Sequence, residues 1–546
     1  MLREKYDKIF FNGNFYSSDE KETEYLGITD GKISGIGKLE DIRKIYEYAD
    51  EVIDLEGKNV YPGFTDAHMH LVAYAQKKKY EVSLSGCTSK EEMKQRIKKH
   101  IAKKDIKPGE WVMGAGWNHE LFEDKGYPDR YLLDDVTKEC PVFLIRTCYH
   151  ICVVNSEALK VCGIDENTIF PDGGKADRDQ EGKLTGVLRE NAMNVVSSKI
   201  PKIKSKEKMK NLIMEGCNDL IAKGITTVHT DDFCFVEDKK MLWESYKELG
   251  EKQELPLRVV LQLRVASLED ISEYKELGMK SWVDIERLRI GPAKIIADGS
   301  LGSRTAALEE SYSDDPGNTG IMLSTEAEFD KIVSQCFKNE FDVCVHAIGD
   351  RTMRTILDVF KKHKKAYKEK GLRPSIIHCQ IASEAILNKF KELDIIANIQ
   401  PVFVCSDWDL AESRVGAERS QYSYSWRKML DKGIKCAGSS DAPVESFNPL
   451  YGIYAAVNRQ DLTGMPEGGW RPEEKINLDE AIGIFTEGAA YLSHEENLKG
   501  SFKKGNYADF VILTDDLFEI EAYQIKDVEV EATIIGGDLK PVLQLI

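Results

Sequence analysis

Two histidines separated by a single residue, His68 and His70, follow a short apolar run of the chain. Alternate side chains of an extended strand point to the same side, so both imidazoles can reach one divalent metal ion. Pro62 and Gly63, just ahead of the pair, disfavour a helix and favour a strand. The pair alone is weak evidence for a metal site, because two buried structural histidines would have the same spacing.

Four more residues that could bind a metal or move a proton lie in, at the end of, or just after apolar strand-like runs: Lys294, His346, His378 and Asp441. With the histidine pair they supply four neutral imidazoles and a carboxylate. This set suits Zn²⁺ or a similar divalent ion such as manganese or iron. The competing interpretations are buried structural histidines, a salt-bridged lysine and, for Asp441, a helix cap.

Lys294 is the unusual member of this set, because a free ammonium group would repel metal ions. Its amine, carbamylated by CO₂, would instead form a long carboxylate able to bridge two ions. Two ions that share a hydroxide would provide a nucleophile at neutral pH and a Lewis acid for a carbonyl oxygen. Asp441 would accept the proton of the attacking water and pass it to the leaving group. We therefore expect one or two ions per chain, with carbamylated Lys294 if there are two.

The elements that must bring these residues together are apolar, β-type runs that alternate with helical stretches, the pattern of a parallel α/β fold. Eight such runs predict a (β/α)₈ barrel, in which catalytic groups gather at the C-terminal ends of the strands. The predicted barrel strands lie at residues 61–70, 225–229, 257–262, 288–298, 341–346, 374–378, 394–400 and 433–439.

Two other regions complete the predicted architecture. Short strands and turns near both ends of the chain predict a small β-sandwich formed by residues 1–58 and 495–546. The connection between the first and second barrel strands is far longer than usual and holds its own strands. We therefore expect an inserted α+β subdomain at residues 75–199 that roofs the site. The barrel itself is then formed by residues 59–74 and 200–494.

The composition limits the partners. A net charge of −18 and a pI near 5.2 argue against nucleic acid, because no basic surface can neutralise phosphates. The 12 cysteines are scattered without a C-x-x-C pair, which is typical of a reducing compartment. Without an apolar leader or a long apolar run, the protein is expected to be cytoplasmic and not membrane-bound. A small-molecule substrate is the expected partner, and a homodimer is the commonest default assembly.

Four parts of the sequence carry a resemblance to a known family, namely Pro62–His70, Lys294–Ser300 with Gly302–Thr305, Val345–Asp350 and Gly438–Pro443. In these segments the chain resembles the amidohydrolase superfamily, and within it the YtcJ-like (amidohydrolase 3) group that includes N-substituted formamide deformylases. The resemblance spans nearly the whole chain and also implies the β-sandwich and the insertion. In one departure, Ile377 precedes His378 where relatives commonly have glutamate. The histidine ligand itself is kept.

The resemblance implies a metal-dependent hydrolase of C–N bonds that acts on an amide, N-acyl or N-formyl substrate through a metal-activated hydroxide. A deaminase, or an ester or lactone hydrolase on the same barrel, is the first alternative. Deaminases of the superfamily typically use one metal and a glutamate near the fifth strand. This chain keeps Lys294 and has Val345–Asp350 in that region, so deamination ranks lower. A catalytically silent regulatory or binding member of the family is the second alternative. Such a member would lack one of the metal-binding residues, and none of them is lost here.

Candidate substrate-binding residues lie outside the ligand set. Trp117 and His150 belong to the insertion, which the resemblance places beside the substrate, although a core tryptophan and a surface histidine are competing interpretations. Barrel-wall, turn and salt-bridge roles compete with substrate binding for the remaining candidates. Four polar residues at or near strand ends could face the pocket or orient a ligand: His229, Asp298, Arg304 and Gln400.

Overall fold

The computed structural model describes residues 5–16, 23–38, 49–147, 150–171, 173–200 and 203–540. The chain divides into two compact units, one formed by Met1–Val72 with Met209–Ile546 and the other by Ala73–Lys208. In the part of the chain described, no helix is both long and apolar enough to cross a membrane.

The strands, in chain order, are β1 (Tyr6–Phe11), β2 (Asn14–Phe15), β3 (Tyr25–Thr29), β4 (Lys32–Gly37), β5 (Ala49–Asp54), β6 (Asn59–Pro62), β7 (Phe64–Met69), β8 (Glu81–Ser83), β9 (Val112–Trp117), β10 (Val142–Arg146), β11 (Ile151–Val154), β12 (Lys175–Arg178), β13 (Leu184–Arg189), β14 (Ile225–Thr230), β15 (Arg258–Arg264), β16 (Asp284–Ile285), β17 (Leu288–Ile296), β18 (Val343–Ala347), β19 (Ser375–His378), β20 (Ile396–Ile399), β21 (Cys436–Gly438), β22 (Phe510–Leu513), β23 (Val530–Ile535) and β24 (Asp538–Lys540).

The α-helices are α1 (Leu71–Tyr80), α2 (Lys90–Lys104), α3 (Arg130–Asp134), α4 (Ser156–Cys162), α5 (Asn191–Ser197), α6 (Lys206–Ile221), α7 (Lys239–Glu251), α8 (Leu268–Glu276), α9 (Glu326–Lys338), α10 (Asp350–Lys362), α11 (Lys364–Glu369), α12 (Glu384–Leu393), α13 (Val404–Arg419), α14 (Trp426–Asp431), α15 (Pro449–Asn458), α16 (Leu478–Ile484) and α17 (Glu487–Leu492). Short 3₁₀ helices occupy His119–Leu121, Asp232–Cys234, Pro401–Phe403, Ser420–Tyr422, Pro472–Glu474 and Ala522–Asp527.

Eight parallel strands form the barrel, in the order β7, β14, β15, β17, β18, β19, β20 and β21. The predicted (β/α)₈ fold is confirmed, and each of the eight predicted strands is present with its ends shifted by a few residues. Strand residues such as Val259, Leu261 and Val345 are fully buried. The strands read as apolar runs because helices cover the outside of the barrel while side chains fill its inside.

The seam between the first and last barrel strands lies beside the predicted ligands. The backbone N–H of Asp441 donates to the carbonyl of His68 at 2.8 Å. Asp66 of β7 accepts hydrogen bonds from the backbone N–H of Ser440, at 3.1 Å, and from its hydroxyl. These bonds hold the segment after β21 against β7, so residues from the first and last strands lie side by side.

Strands from both ends of the chain build the predicted β-sandwich. One sheet has the strand order β4-β3-β1-β5 and the other β2-β6-β22-β23-β24. The sheets share a hydrophobic core in which Phe10 and Phe510 pack edge to face, with ring centroids 5.0 Å apart. Nε of Arg258, in barrel strand β15, lies 2.6 Å from a carboxylate oxygen of Asp509. This ion pair ties the sandwich to the barrel.

The second unit contains the predicted α+β insertion and has its own sheet, in the order β12-β13-β11-β10-β9-β8. Strands β8, β9 and β10 are parallel, and the remaining pairs are antiparallel. Two hydrophobic clusters lie on its two faces: Leu144 belongs to one and the adjacent Phe143 to the other. This arrangement follows from the alternation of side chains along a strand.

Candidate metal centre

His68, His70 and Asp441 converge at the C-terminal end of the barrel. Oδ1 of Asp441 lies 3.4 Å from Nε2 of His68 and 3.2 Å from Nε2 of His70. One potential ligand atom from each residue lies within 4.8 Å of the other two, and all three residues are buried. Among the described residues, this is the one group of three histidine, cysteine or acidic side chains with that spacing.

Hydrogen bonds determine which nitrogen of each histidine faces Asp441. Nδ1 of His68 lies 2.8 Å from Oε1 of Gln262, and Nδ1 of His70 lies 2.8 Å from the backbone carbonyl oxygen of Asp231. Both partner atoms are acceptors, so each Nδ1 carries a proton, and the neutral form of each ring presents the lone pair of Nε2. Metal-binding histidines are held in this way, with the second ring nitrogen donating to an acceptor.

His346 of β18 and His378 of β19 lie next to this group. Their ring centroids are 4.4 Å apart, and the ring of His378 is 5.9 Å from that of His68. Nδ1 of His378 donates to Oε1 of Gln400 at 2.9 Å, which leaves Nε2 free. Nε2 of His346 donates to the carbonyl of Gly299 at 3.1 Å, which leaves Nδ1 free. Each of the two rings therefore keeps one lone pair for a metal.

Lys294 extends from β17 into the same cluster. Its Nζ lies 3.2 Å from Nε2 of His68, and burial lowers the pKa of its amine. Among the residues that the structure describes, none places a carboxylate oxygen within 4.0 Å of this nitrogen. A buried ammonium without a counter-ion is unfavourable, so the neutral amine fits this place better.

The backbone has an uncommon conformation at two of the candidate ligands. His378, the following Cys379 and Asp441 have φ angles of 83°, 51° and 60°, in the left-handed region that side-chain-bearing residues rarely adopt. Each such residue costs on the order of 1–3 kcal/mol and persists only where the surrounding structure imposes it. Strain of this kind clusters at functional sites, where it directs side chains at the expense of local stability.

The electrostatics of the cluster favour neutral rings at His68 and His378 and an ionised carboxylate at Asp441. Burial alone would lower the pKa of His70, but its contact with Asp441 raises that pKa above the ordinary value. Burial lowers the pKa of His68 and of His378 well below the ordinary value for histidine, so both rings are neutral. Burial alone would raise the pKa of Asp441, but its contact with His70 and the other histidines keep that pKa below the ordinary value. Divalent ions bind these protonation states, so the residues present fit a metal centre.

A comparison with known proteins gives this site a family context. The model of the amidohydrolase family matches residues 51–539. The chain belongs to the amidohydrolase family. It is 32% identical to the putative amidohydrolase YtcJ of Bacillus subtilis (strain 168), over 97% of this chain and 98% of that protein. It is also 26% identical to the N-substituted formamide deformylase of Arthrobacter pascens, over 98% of each chain. These matches confirm the predicted YtcJ-like group.

A solved structure supports the same assignment at the level of the fold. The crystal structure of an uncharacterized metal-dependent hydrolase from Pyrococcus horikoshii OT3 matches with a TM-score of 0.78 and 27% sequence identity. The match covers 94% of this chain and 99% of that chain. The barrel, the sandwich and the inserted unit of this amidohydrolase therefore have counterparts across nearly the full length of a solved structure.

Two of the predicted substrate-binding residues contact other protein groups in this amidohydrolase. Gln400 is buried, and its Nε2 donates to the hydroxyl of Ser439 at 2.8 Å while its Oε1 holds His378. Arg304 forms a two-pronged ion pair with Asp314, at 3.0 and 2.8 Å. Gln400 therefore orients the candidate metal ligand His378, and Arg304 stabilises the loop after β17. Direct binding of substrate by either residue stays a prediction.

Three other predicted substrate-binding residues have different surroundings. His229 is buried in β14, its Nε2 has no hydrogen-bond partner among the described residues, and burial lowers its pKa to about 3. In the second unit, Trp117 is fully buried and its indole N–H donates to the carbonyl of Leu144 at 3.0 Å. His150 is exposed, with Nδ1 2.9 Å from a carboxylate oxygen of Glu190. Their contribution to substrate binding stays a prediction.

Asp298 holds together the loops that follow β17 and β18. Its carboxylate accepts backbone N–H groups from Ala307 at 3.1 Å, from Ile348 at 3.1 Å and from Gly349 at 2.9 Å. Its Oδ1 also lies 3.4 Å from Nε2 of His346. A buried carboxylate with these partners fixes the surroundings of a ligand, so Asp298 is a positioning residue for His346.

The roles of Gln262 and Asp231 become evident only in the structure. Gln262 lies in β15 between apolar residues, and its Nε2 also donates to the carbonyl of Ala67 at 3.3 Å. A polar residue on the inner face of an apolar strand was the signal that could have identified it. Asp231 holds His70 through its backbone carbonyl, a group that every residue has, so its identity offers no such signal.

Replacing Gln262 by alanine should weaken metal binding by about 10- to 100-fold, because His68 loses the acceptor that fixes its tautomer. Gln262→Glu keeps an acceptor and should retain more of the affinity. Zinc titration of metal-free protein measures the effect, with Gln95→Ala on the exposed side of α2 as the control. If Gln262→Ala binds zinc as tightly as the unaltered protein does, the carboxamide does not orient His68.

Proposed function

We propose that this protein is a metal-dependent hydrolase that cleaves the C–N bond of a small-molecule amide, N-acyl or N-formyl amine. The convergence of His68, His70 and Asp441, with ligand atoms within 4.8 Å of one another, carries the proposal. Membership of the amidohydrolase family agrees with it. The relative from Arthrobacter pascens is named as a formamide deformylase, which supports N-formyl amines as the first substrates to test.

The metal would be held by His68, His70, Lys294, His346, His378 and Asp441. Zinc is the first candidate, with manganese or iron as alternatives, because imidazole and carboxylate ligands accept all three. Bound divalent ions would polarise the scissile carbonyl group and make water more acidic. The similar protein from Pyrococcus horikoshii is described as a metal-dependent hydrolase, which supports this part of the proposal.

Carbamylation of Lys294 would explain why a lysine amine is buried among histidine rings. Its pKa is lowered by burial, and no carboxylate oxygen of the described residues lies within 4.0 Å of its amine. A neutral amine is nucleophilic and can form a C–N bond to CO₂ with loss of one proton, which turns the side chain into an anionic carbamate. The negative charge of the carbamate would then balance metal ions bound by the adjacent histidines.

Asp441 would move the proton during hydrolysis. Its Oδ1, which faces Nε2 of both His68 and His70, accepts a proton from the water that attacks the carbonyl carbon. The same oxygen then donates that proton to the nitrogen of the leaving amine as the C–N bond breaks. Gln262 and Gln400 contribute by keeping His68 and His378 in fixed orientations throughout.

Metal analysis combined with a substrate panel tests the proposal. Protein purified without chelators should contain about two equivalents of divalent metal and release amines from N-formyl or N-acetyl compounds. Chelation should abolish amine release, and zinc or manganese with bicarbonate should restore it. His68→Asn should lose metal, whereas His363→Asn, which alters a histidine paired with Asp330 on the outer helices, should retain it.

Two results would change the proposal in different ways. A content of about one equivalent would leave a mononuclear hydrolase in which Lys294 needs no carbamate. Failure to bind any metal after reconstitution, or full activity after chelation, would contradict a metal-dependent hydrolase.

A further inference from the structure

Arg264 ends β15 and shares the inner face of the barrel with the metal-centre residues. It lies two positions after Gln262, whose amide contacts His68, so the two side chains emerge on the same side of the strand. In the strand ladder Arg264 is paired with Lys294, whose amine also contacts His68. Arg264 therefore stands at the catalytic end of the barrel, one strand from the candidate metal centre.

The guanidinium group of Arg264 has no partner among the residues that the structure describes. Its Nη1 is buried and has no hydrogen-bond acceptor, and none of its nitrogens lies within 4.0 Å of a carboxylate oxygen. Arg414 also has one buried nitrogen without a partner, its Nε, but another of its nitrogens pairs with Asp314, whereas no nitrogen of Arg264 has such a partner within the described ranges. A buried N–H donor without an acceptor is unfavourable, and Arg264 itself is only partly buried, so its guanidinium can be reached by an acceptor that comes from outside the chain.

Asp231, which follows the neighbouring strand β14, does not supply this acceptor. Asp231, at the end of β14, has both carboxylate oxygens buried and without any hydrogen-bond donor in the described part of the chain. Because those oxygens accept no hydrogen bond, none of the N–H groups of Arg264 donates to the carboxylate of Asp231. The two groups therefore interact only at a distance, and the N–H groups of Arg264 remain available.

We propose that Arg264 binds an anionic group of the substrate, a carboxylate in the simplest case, and makes the enzyme selective for anionic amides. This inference rests on the proposed function, since it specifies the substrate class of the same site. The planar guanidinium offers parallel N–H donors that match a carboxylate, whereas a neutral substrate lacks a matching acceptor. The chain carries a net charge of −18, so attraction of an anion requires a local cation of this kind.

The carboxylate could belong to the amine part or to the acyl part of the substrate, and two matched pairs distinguish these cases. N-acetylglycine and N-acetylglycinamide differ only in a charge on the amine side. N-methylsuccinamate and N-methylbutanamide differ in a charge on the acyl side. We would measure kcat and KM for all four with the metal-loaded protein, and with Arg264→Met, Arg264→Lys and the control Arg354→Met. Arg354 is a half-exposed residue paired with Glu309.

For at least one pair, the unaltered enzyme should prefer the carboxylate, and Arg264→Met should lower kcat/KM for that compound about 100-fold, mainly through KM. For the neutral counterpart, kcat/KM should change by less than about threefold, because this compound makes no bond to the guanidinium. Arg264→Lys should be intermediate, since it keeps the charge but loses the planar fork. Arg354→Met should leave kcat/KM unchanged for both compounds.

Equal losses for the charged and neutral members, together with reduced metal content, would overturn the inference and make Arg264 a structural residue. Calorimetric titration with N-acetylglycine and N-methylsuccinamate provides a readout that does not depend on turnover. If no compound is hydrolysed but Arg264→Met abolishes binding of one of these anions, the proposed function fails and the anion site stands. If both anions bind the unaltered protein and Arg264→Met equally, or neither binds, the anion site fails.

Discussion

Replacing Asp441 by asparagine is expected to lower kcat by about 10²- to 10⁴-fold, the range observed when a positioned acid–base group is removed. The carboxamide has nearly the same shape as the carboxylate, but it cannot accept a proton from water or return one to the leaving amine. Its Oδ1 can still face the histidine pair, which the carboxylate approaches at 3.2 and 3.4 Å. Steady-state kinetics at matched metal content measures the effect.

Asp124→Asn is the matched control for this substitution, because Asp124 is exposed and pairs with Lys90 at the surface. It should leave kcat unchanged, as surface ion pairs of this kind contribute little. The pH profile separates a chemical role from a structural one, since Asp441→Asn should also lose the acidic limb of kcat/KM. A variant that keeps both the profile and at least a third of the rate would rule out Asp441 as the proton carrier.

Replacing Lys294 by alanine is expected to remove most of the bound metal and to lower activity by at least about 10³-fold, as expected when a bridging anionic ligand is lost. The alanine leaves the space of a buried side chain beside His68. A small carboxylic acid such as acetate or propionate can enter that space and offer the two oxygens that the carbamate would have supplied. We therefore expect partial recovery of metal binding and turnover when such an acid is added.

Lys294→Met is the control that distinguishes rescue by a bound acid from a nonspecific effect of the acid. Methionine is unbranched and flexible, so it fills most of the same space and leaves no room for the acid. Both variants should remove ligand function, but only the alanine variant should be rescued. Metal retention and full turnover by Lys294→Ala without added acid would show that the lysine is not a ligand.

The barrel could be predicted because its strands carry two signals in the same short segments. Most runs are rich in apolar residues, and several end in a residue that is costly to bury, such as His346 or His378. Physical chemistry offers few reasons to place an imidazole at the end of a buried strand, and metal binding is one of them. For the same reason the six candidate ligands could be selected from the sequence before any geometry was known.

The contacts that orient those ligands could not be predicted in the same way. The position of Gln400 at a strand end allows it either to face the pocket or to orient a ligand, and only the structure shows that it holds Nδ1 of His378. A polar residue on a barrel strand can contact either the pocket or a neighbouring ligand residue. The register of the adjacent strand and any bulge decide between these contacts. One such register shift lies between Leu261 and Leu263 in the ladder of β15 with β17. That Arg264 lacks a partner among the described residues becomes evident only when the surrounding side chains are in place.

The seam of the barrel also links ligand binding to the thermodynamics of folding. Ser440 and Asp66, which bond across it, are 374 positions apart in the sequence, and the histidine pair and Asp441 meet only when this contact has formed. A metal ion that binds the native state but not the unfolded chain stabilises it by RT ln(1 + [L]/Kd), about 4 kcal/mol at a thousandfold excess over Kd. The same ion that would assist hydrolysis would thus also stabilise the contact between the first and last strands of the barrel. The melting temperature should therefore rise with free metal concentration.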